Sequence, residues 1–380
     1  MFVCMDLDLF HKMLMVDSTS GKERELADFL AERMAGPGRR VEAFEVPEMA
    51  QDRPEGCNIP VNLMISWGEP EIVFCTHLDT VPPYIAPAFE ETSSSDIRIC
   101  GRGSCDAKGQ IFAMWEACME LERRGCTDFA LLLLAGEETG SFGAKAFTGD
   151  CGGMIPDGAV VIVGEPTDNC MASASKGTKS FEVTFTGTPF HSGYPQYGIS
   201  AVEMFGDFLN ALRSIVFPYD EVLGDTTWNI GRLSSDNPQN ILSDKLTCRV
   251  YFRTTFSSDE MVCNVMKNMA GPRARLRFGR RQAQDGSDMV AKDVAPWQKC
   301  MSVKAFGGDA PTRYEVLDGF QTKPVAFGSD APQLKCFDRK ILCGPGSILV
   351  AHRDEEHVLM SDIEKAVGNY VRIYTRLSRS

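Results

Sequence analysis

The sequence lacks several features that mark membrane, secreted and nucleic-acid-binding proteins. No apolar run approaches about 18 residues, so we predict no membrane-spanning helix. The first residues include Asp6 and Asp8 and show no basic segment followed by an apolar one, so we expect no signal peptide and predict a cytoplasmic protein. Positive charge is also scarce. Lys and Arg number 39 against 52 Asp and Glu, and this net charge of -13 argues against nucleic acid as a partner.

Cysteine is present but shows no sign of a disulfide framework. The 14 cysteines of this 380-residue chain contain no CxxC pair. Several lie inside apolar runs, as Cys75, Cys118, Cys248 and Cys263 do. In a chain of this length, such a distribution favours reduced thiols that pack as small hydrophobic side chains.

The first part of the chain alternates strand and helix patterns. Four short segments predict strands: "VNLMISW", "EIVFCTHLD", "FALLLLA" and "AVVIVG". The last two are continuously apolar, as expected for strands that are covered on both faces. The segment "AKGQIFAMWEACMELERRG" has the spacing of a long amphipathic helix, and Ser20 to Glu23 has the spacing of a capping box before another helix. This alternation predicts an α/β domain with a mostly parallel, helix-covered sheet.

The pattern changes near residue 175. "SFEVTFTG" alternates strictly, and "TTWNIGRL", "KLTCRVYFRTTF" and "RARLRFGRR" are further strand candidates, separated by two helix patterns. We therefore predict a smaller α+β domain, with a four-stranded antiparallel sheet and two helices, inserted into the α/β domain. Strand and helix patterns like those of the first part of the chain return after residue 288. The predicted division is 1–174 and 289–380 for the main domain and 175–288 for the insertion.

Acids and histidines occur where predicted strands end. The run "FALLLLA" leads directly into Gly136 and the adjacent acids Glu137 and Glu138. Two neighbouring carboxylates at the end of a buried strand repel each other and lose hydration together, unless a positive charge lies near them. Further candidates at strand ends or in glycine-rich loops are His77 and Asp79 in "EIVFCTHLD", Asp106 in "GRGSCDAKG", Glu165 in "VIVGEPTD" and His352 in "GPGSILVAHRDEE".

The position of these residues predicts a metal centre. Ligands of open α/β sheets gather beyond the carboxyl ends of the strands, so we expect the acids to converge in one crevice. So many acids tolerate one another only around cations, most simply a pair of metal ions. Mixed imidazole and carboxylate ligands suit zinc, cobalt or manganese. Asp106 is a natural bridging ligand, and the pair Glu137 and Glu138 offers one ligand and one base.

The segments that carry these residues resemble the successive signatures of one known family: "HLDTVPP", "GRGSCDAKG", "AGEETGSFGA", "VGEPT", "FHSGYP" and "GPGSILVAHRDEE". Over its whole length the chain is similar to the two-zinc amidohydrolase and peptidase family. That family contains acetylornithine deacetylase, succinyl-diaminopimelate desuccinylase, aminoacylase and carboxypeptidase G. The resemblance implies a catalytic domain interrupted by a smaller lid domain, through which two subunits form a homodimer.

The resemblance also implies the ligands of two divalent metal ions, zinc or cobalt. His77, Asp106 and Glu165 would hold one ion. Asp106, Glu138 and His352 would hold the other, so that Asp106 bridges the two.

The remaining roles follow from the same resemblance. Glu137 would be the general base, and Asp79 would orient His77 and the base. His191, on the lid, would stabilise the oxyanion in its own site or in that of a partner subunit. The implied contacts with the substrate are those of Asn240, Arg253, Gly344 and Ser347.

The predicted reaction is hydrolysis of the amide bond of a small N-acyl amino acid. The "GPGSI" and "AHRDE" segments look most like acetylornithine deacetylase, so N-acetyl-ornithine is the leading substrate. A desuccinylase of succinyl-diaminopimelate and a broad aminoacylase or dipeptidase are alternatives. A hypothesis of another class is a non-catalytic member that serves as a binding module. Such a protein would have lost a ligand or the base, whereas this chain keeps the matching residues.

Overall fold

The structure is a computed structural model that describes residues 5–51, 54–270, 281–282, 288–289 and 300–379. Within these ranges, no helix combines the length and the apolar character that crossing a bilayer requires. The chain forms two compact units. The larger contains the described residues up to Ser173, Arg313–Val325 and those from Ser329 onward, and the smaller contains those of Ala174–Thr312 and Ala326–Gly328.

Helices occur in both units. In chain order the described helices are α1 (Leu7–Met15), α2 (Arg24–Met34), α3 (Lys108–Arg123), α4 (Glu137–Gly140), α5 (Phe142–Ala146), α6 (Ala201–Arg213), α7 (Asp259–Met269) and α8 (Met360–Leu377).

The strands form several sheets. In chain order they are β1 (Arg40–Glu45), β2 (Val61–Trp67), β3 (Ile72–His77), β4 (Ala88–Glu91), β5 (Ile97–Cys100), β6 (Phe129–Leu134), β7 (Val160–Val163), β8 (Met171–Ser175), β9 (Gly177–Thr186), β10 (Thr227–Ser234), β11 (Lys245–Thr254), β12 (Arg281–Gln282), β13 (Asp288–Met289), β14 (Met301–Gly307), β15 (Thr312–Arg313), β16 (Thr322–Val325), β17 (Arg339–Leu342) and β18 (His357–Leu359).

The larger unit is built on a six-stranded sheet with the order β1-β2-β6-β3-β7-β17. Strands β6, β3, β7 and β17 run parallel to one another, and β1 and β2 add an antiparallel edge. Every residue of β2, β3, β6 and β7 is buried, which is why these strands read as continuous apolar runs. Helices α1, α2, α3 and α8 share their apolar core with the sheet. The predicted mixed α/β architecture is therefore confirmed.

The smaller unit has its own antiparallel sheet, with the order β10-β11-β9-β14. Alternate residues of β9, namely Phe181, Val183 and Phe185, are buried and share one apolar cluster with α6 and α7. This one-sided burial is the reason for the strict alternation in the sequence.

The predicted boundary at residue 288 differs from the observed division. Strand β14 pairs with β9 and completes the sheet, so the smaller unit continues to Thr312. Most of β14 is exposed, and Met301, Val303 and Ala305 alternate with polar residues over only five positions, too short a pattern to mark the strand clearly. The strand predicted from "RARLRFGRR" lies almost entirely outside the described residues.

The cysteines that the sequence analysis singled out are thiols, as predicted. Cys75, Cys118 and Cys248 are buried, Cys263 is partly buried, and none of the four forms a disulfide.

The fully buried sheet predicts a steep stability penalty for truncation in a central strand. Leu133 of β6 is 0% exposed, so Leu133→Ala should lower the free energy of unfolding by about 2–5 kcal/mol through lost burial and an internal cavity. Urea denaturation followed by circular dichroism measures the change. Met15→Ala is the control because Met15 is 54% exposed, and it should change stability by less than about 0.5 kcal/mol. Equal effects of the two substitutions would contradict this description of the core.

Candidate metal centre

The central strands deliver the candidate ligands to one edge of the sheet. In the parallel register, His77 lies opposite Leu134, and Cys75 lies opposite Val163. Strand β3 therefore ends at His77 beside the end of β6, and Glu165 follows β7 at the same edge. Chain segments that leave parallel strands in this way share one crevice.

The structure brings five of the predicted ligands together in two overlapping groups. In one group, ligand atoms of His77, Asp106 and Glu165 all lie within 4.8 Å of one another. In the other, the same holds for Asp106, Glu138 and His352. These are the two sets that the resemblance implied, and Asp106 belongs to both.

The carboxylate of Asp106 lies between the two histidines. Its Oδ1 is 3.0 Å from His77 Nε2, and its Oδ2 is 3.3 Å from His352 Nε2. His352 Nε2 is also 2.9 Å from Glu138 Oε1. Each oxygen of Asp106 thus faces a different group, which is the geometry a bridging carboxylate needs.

The base predicted from the sequence lies beside the ligands. Ligand atoms of Glu137, Glu138 and His77 form a third group within 4.8 Å. Glu137 and Glu138 open the short helix α4 and keep partial exposure, whereas His77, Asp106 and Glu165 are buried. A carboxylate at the open side of a buried ligand cluster can reach both a water molecule and a substrate.

The pKa values of the cluster show that it is short of positive charge. Burial raises the pKa of Glu137 and Glu165 well above the usual range of a carboxyl group. Hydrogen bonds to Asp106 and Glu138 raise the pKa of His352 to about 10. Burial opposes protonation of His77, yet its hydrogen bonds to Asp106 and Asp79 raise its pKa well above the ordinary value.

Charge and donor chemistry both fit divalent cations. The groups contain four carboxylates, those of Asp106, Glu137, Glu138 and Glu165, but only two imidazoles. Even two imidazolium ions would leave two negative charges without a partner. Two imidazoles and several carboxylates are also the mixed donor set that zinc and cobalt accept.

Asp79 organises the backbone that carries the glutamate pair. Its Oδ1 accepts a hydrogen bond from the N–H of Glu137 at 3.0 Å, and its Oδ2 accepts one from the N–H of Glu138 at 3.2 Å. Its carbonyl oxygen lies 2.9 Å from His77 Nδ1. These contacts orient His77 and the glutamate pair together, which is the arrangement that the predicted role of Asp79 requires.

Ser20 is a contributor to the site that the sequence analysis assigned to a different role. The capping-box spacing places it at a helix start, but α2 begins only at Arg24 and its N-terminus has no side-chain cap. The Ser20 hydroxyl donates instead to Asp79 Oδ2 at 2.8 Å. A contact across 59 positions of the chain leaves no signal in local spacing.

Two further residues near the site were missed. Asp330 is buried, and burial raises the pKa of its carboxyl group to about 7. The apolar run before it, Val325 to Phe327, is short and is separated from it by Gly328 and Ser329, so it does not mark Asp330 as a strand-end residue. The buried Gln110 donates through Nε2 to the carbonyl oxygens of Cys105 at 3.0 Å and Pro345 at 2.9 Å, so it joins the loop of Asp106 to the loop that contains Gly344.

The loop from Gly344 to Ser347 carries two of the predicted substrate contacts, and the backbone N–H of Gly344 already has a partner. The Gly344 N–H donates to the Thr167 hydroxyl at 2.9 Å, so it is not available to a substrate carboxylate. Glycine is required there because a Cβ atom would lie 2.0 Å from Gln110 Oε1. Ser347 is partly buried, and its carbonyl oxygen accepts a weak contact from the Cys105 thiol at 3.6 Å.

His191, Asn240 and Arg253 belong to the smaller unit. His191 and Asn240 lie on paired segments, because the N–H of Ser192 donates to the carbonyl oxygen of Asn240 at 2.9 Å. His191 Nδ1 accepts from the N–H of Gly193 at 3.1 Å. The guanidinium carbon of Arg253, on β11, lies 5.1 Å from the centre of the Tyr251 ring. The roles of these three residues toward a substrate stay predictions.

The chain matches a known protein family and is similar to curated proteins over most of its length. The model of peptidase family M20/M25/M40 matches residues 73–376. A probable carboxypeptidase of Aspergillus terreus is 31% identical over 386 residues, which cover 96% of this chain and 84% of that protein.

Solved structures show the same fold. A tripeptidase of Staphylococcus aureus superposes with a TM-score of 0.76 at 17% identity, covering 98% of each chain. A dinuclear metal binding peptidase of the M20 family from Bacillus subtilis superposes with a TM-score of 0.59 at 12% identity, covering 97% of each chain.

The shared ligand predicts how metal content responds to substitution. Asp106→Asn should remove both ions because both groups use this carboxylate, whereas Glu165→Gln should leave one ion per chain. Metal content is measured by mass spectrometry after loading with Zn²⁺ and dialysis. Glu71→Gln is the control, since Glu71 is an exposed acid just before β3, and it should keep two ions. Two ions retained by Asp106→Asn would show that Asp106 is not shared.

Proposed function

The chain belongs to peptidase family M20/M25/M40, and from that premise we propose that it is a carboxypeptidase that uses two divalent metal ions, zinc or cobalt. The observation that carries the proposal is the pair of overlapping ligand groups that share Asp106, with Glu137 beside them. A non-catalytic binding module would have no need to keep both the ligands and the base.

Seven side chains supply the reaction in this proposal. His77, Asp106, Glu138, Glu165 and His352 would hold the ions, which polarise an amide carbonyl and lower the pKa of water when bound. Asp79 holds the backbone of Glu137 and Glu138 in place through its two carboxylate oxygens. The carboxylate of Glu137 is thereby kept within 4.8 Å of ligand atoms of His77 and Glu138.

Glu137 moves the proton that the hydrolysis requires. Its carboxylate takes a proton from the attacking water, whose oxygen forms a bond to the amide carbon. The C–N bond then breaks, and Glu137 returns the proton to the leaving nitrogen. The products are a shortened peptide with a new carboxyl group and a free amino acid, so the atoms of one water molecule are fully accounted for.

Residues of the smaller unit serve binding in this proposal. His191 donates a hydrogen bond to the oxyanion, in its own subunit or in that of a partner. The second arrangement requires a homodimer formed through the smaller unit. Arg253 pairs with the free carboxylate of the C-terminal residue, because a guanidinium recognises a carboxylate through parallel hydrogen bonds. Asn240 and the Ser347 hydroxyl add polar contacts to the substrate backbone.

The name of the fungal relative supports a peptide substrate over N-acetyl-ornithine, which was the leading substrate in the sequence analysis. Both kinds of substrate share an amide bond next to an amino acid with a free carboxylate, so the same site chemistry serves both. N-acetyl-ornithine and succinyl-diaminopimelate are the second candidates, and the "GPGSILVAHRDEE" segment favours the former. A peptide substrate and an N-acyl amino acid substrate thus both carry the free carboxylate that the proposed site binds.

Glu137→Gln tests the assignment of the base. The amide cannot accept the proton of the attacking water, so kcat should fall by about 100-fold to 10,000-fold, while two metal ions stay bound. Hydrolysis is followed by the release of amino acid, and metal content is measured on the same samples. Glu71→Gln again serves as the control and should keep the normal rate, because Glu71 lies exposed before β3. A normal rate for Glu137→Gln would remove this residue from the mechanism.

A substrate panel tests the class of substrate. It contains an N-blocked dipeptide with a free carboxyl terminus, the same compound as its C-terminal amide, an unblocked dipeptide, N-acetyl-ornithine and N-succinyl-diaminopimelate. We expect chelator-sensitive hydrolysis of the first compound and at least about 100-fold lower kcat/KM for its amide, because the amide lacks the charge that pairs with Arg253.

Arg253→Ala should remove that preference by raising KM for the free acid and leaving the amide unaffected. Faster hydrolysis of N-acetyl-ornithine than of the blocked dipeptide would replace the peptide by the N-acyl amino acid. Hydrolysis of the unblocked dipeptide alone would instead indicate a dipeptidase.

A further inference from the structure

A buried ion pair lies behind the metal centre and takes no part in the mechanism above. Arg102 Nη1 is 2.5 Å from Glu356 Oε2, and the side chains are only 2% and 0% exposed. A buried pair of this kind contributes little net stability, since the loss of hydration offsets the attraction between the charges. The role of this pair therefore lies in the backbone segments that its contacts hold.

Glu356 binds the backbone of the loop that carries Asp106. Its Oε1 accepts hydrogen bonds from the backbone N–H groups of Gly103 at 2.9 Å, Cys105 at 3.2 Å and Asp106 at 3.1 Å. The carbonyl oxygen of Glu356 also accepts from the N–H of Gly101 at 3.0 Å. One carboxylate oxygen thus sets the path of the backbone up to the shared metal ligand itself.

Arg102 reaches the segment that carries the other ligand. Its Nη1 donates to the carbonyl oxygen of Arg353 at 3.1 Å, directly after His352 in the chain. The N–H of Glu356 donates to the same carbonyl group at 3.2 Å. His352 itself has a φ of 63°, a left-handed conformation that a residue with a side chain keeps only when its surroundings hold it.

We propose that the Arg102–Glu356 pair is a positioning element that sets the distance and orientation between Asp106 and His352. These two residues, with Glu138, form one of the two ligand groups. In the other group, His77 ends β3 and Glu165 follows β7, so Asp106 is the only member on a segment bound by the pair. Loss of the pair must therefore weaken the His352 group more than the His77 group. The inference rests on the metal centre and not on the choice of substrate.

Glu356→Gln is the central test. The amide oxygen can still accept from the three N–H groups, but the amide NH₂ then faces the donors of Arg102, so the two segments must move apart. Titration of the metal-free protein with Zn²⁺ should show about 10-fold to 100-fold weaker binding at one site, the usual effect of losing a partner behind a metal ligand.

His352→Ala identifies the weakened site. Of the two proposed metal-ligand sets, that variant keeps complete the one formed by His77, Asp106 and Glu165. Adding Glu356→Gln to it should weaken the remaining site by less than about threefold, because two of its three ligands, His77 and Glu165, lie on segments that the pair does not hold. Equal weakening of both sites would indicate general loosening and would overturn the proposal, as would unchanged binding in Glu356→Gln alone.

An ion pair elsewhere in the larger unit, with side chains that are 14% and 30% exposed, provides the control. Arg39 Nη2 is 2.5 Å from Glu122 Oε2, and Glu122 also accepts from Trp67 Nε1 at 2.9 Å. Glu122→Gln should lower the melting temperature of the protein without changing its affinity for Zn²⁺. A change of zinc affinity in this control would show that loss of stability alone weakens metal binding, and would also overturn the proposal.

Arg102→Lys keeps the experiment decisive if Glu356→Gln does not fold. Arg102 Nη1 makes the contacts with both Glu356 and the Arg353 carbonyl oxygen, while Nε donates to the Pro83 carbonyl oxygen at 3.2 Å. Lysine retains the charge, but its side chain is shorter and has no Nε–H, so it cannot keep all three contacts and the same selective loss of one site is expected. Wild-type protein that binds no Zn²⁺ would overturn the positioning role together with the metal centre. Wild-type protein that binds two ions yet hydrolyses no peptide would overturn only the carboxypeptidase proposal.

Discussion

Repulsion between carboxylates at one edge of the central sheet is the constraint on which the larger unit depends. Ligand atoms of Glu137 lie within 4.8 Å of those of Glu138, those of Glu138 within 4.8 Å of Asp106, and those of Asp106 within 4.8 Å of Glu165. Burial raises the pKa of Glu137, Glu138 and Glu165. A chain can maintain such a cluster only if rigid elements hold each acid in place. Strands β3, β6 and β7, buried at every residue, provide that rigidity.

The protein compensates the acids with backbone dipoles as well as with histidines. Asp79 accepts two N–H groups at the start of α4, and Glu356 accepts three in the loop that leads to Asp106. In both cases a carboxylate outside the ligand groups gathers the backbone that carries a ligand. The remaining negative charge faces the crevice, where two divalent cations would balance it.

Some parts of this arrangement could be predicted from sequence because they have local causes. The continuous apolar runs of β3 and β6 marked buried parallel strands, and the acids directly after them therefore marked the sheet edge. Strand β14 was missed, since most of it is exposed, its apolar alternation is short, and its pairing with β9 is a contact between distant parts of the chain. Ser20 was misassigned for a related reason, because its capping-box spacing is local while its contact with Asp79 is not.

The sequence by itself determined the alternating α/β architecture, the residue types of the metal centre and the family to which the chain belongs. Each depends on which residues occur, in which order, relative to apolar runs. Only the tertiary structure decided that Asp106 faces both histidines, that the Gly344 N–H is already occupied, and that Arg102 and Glu356 link the segments of Asp106 and His352. These contacts join residues far apart in the chain, and their geometry exists only once the sheet has placed the segments side by side.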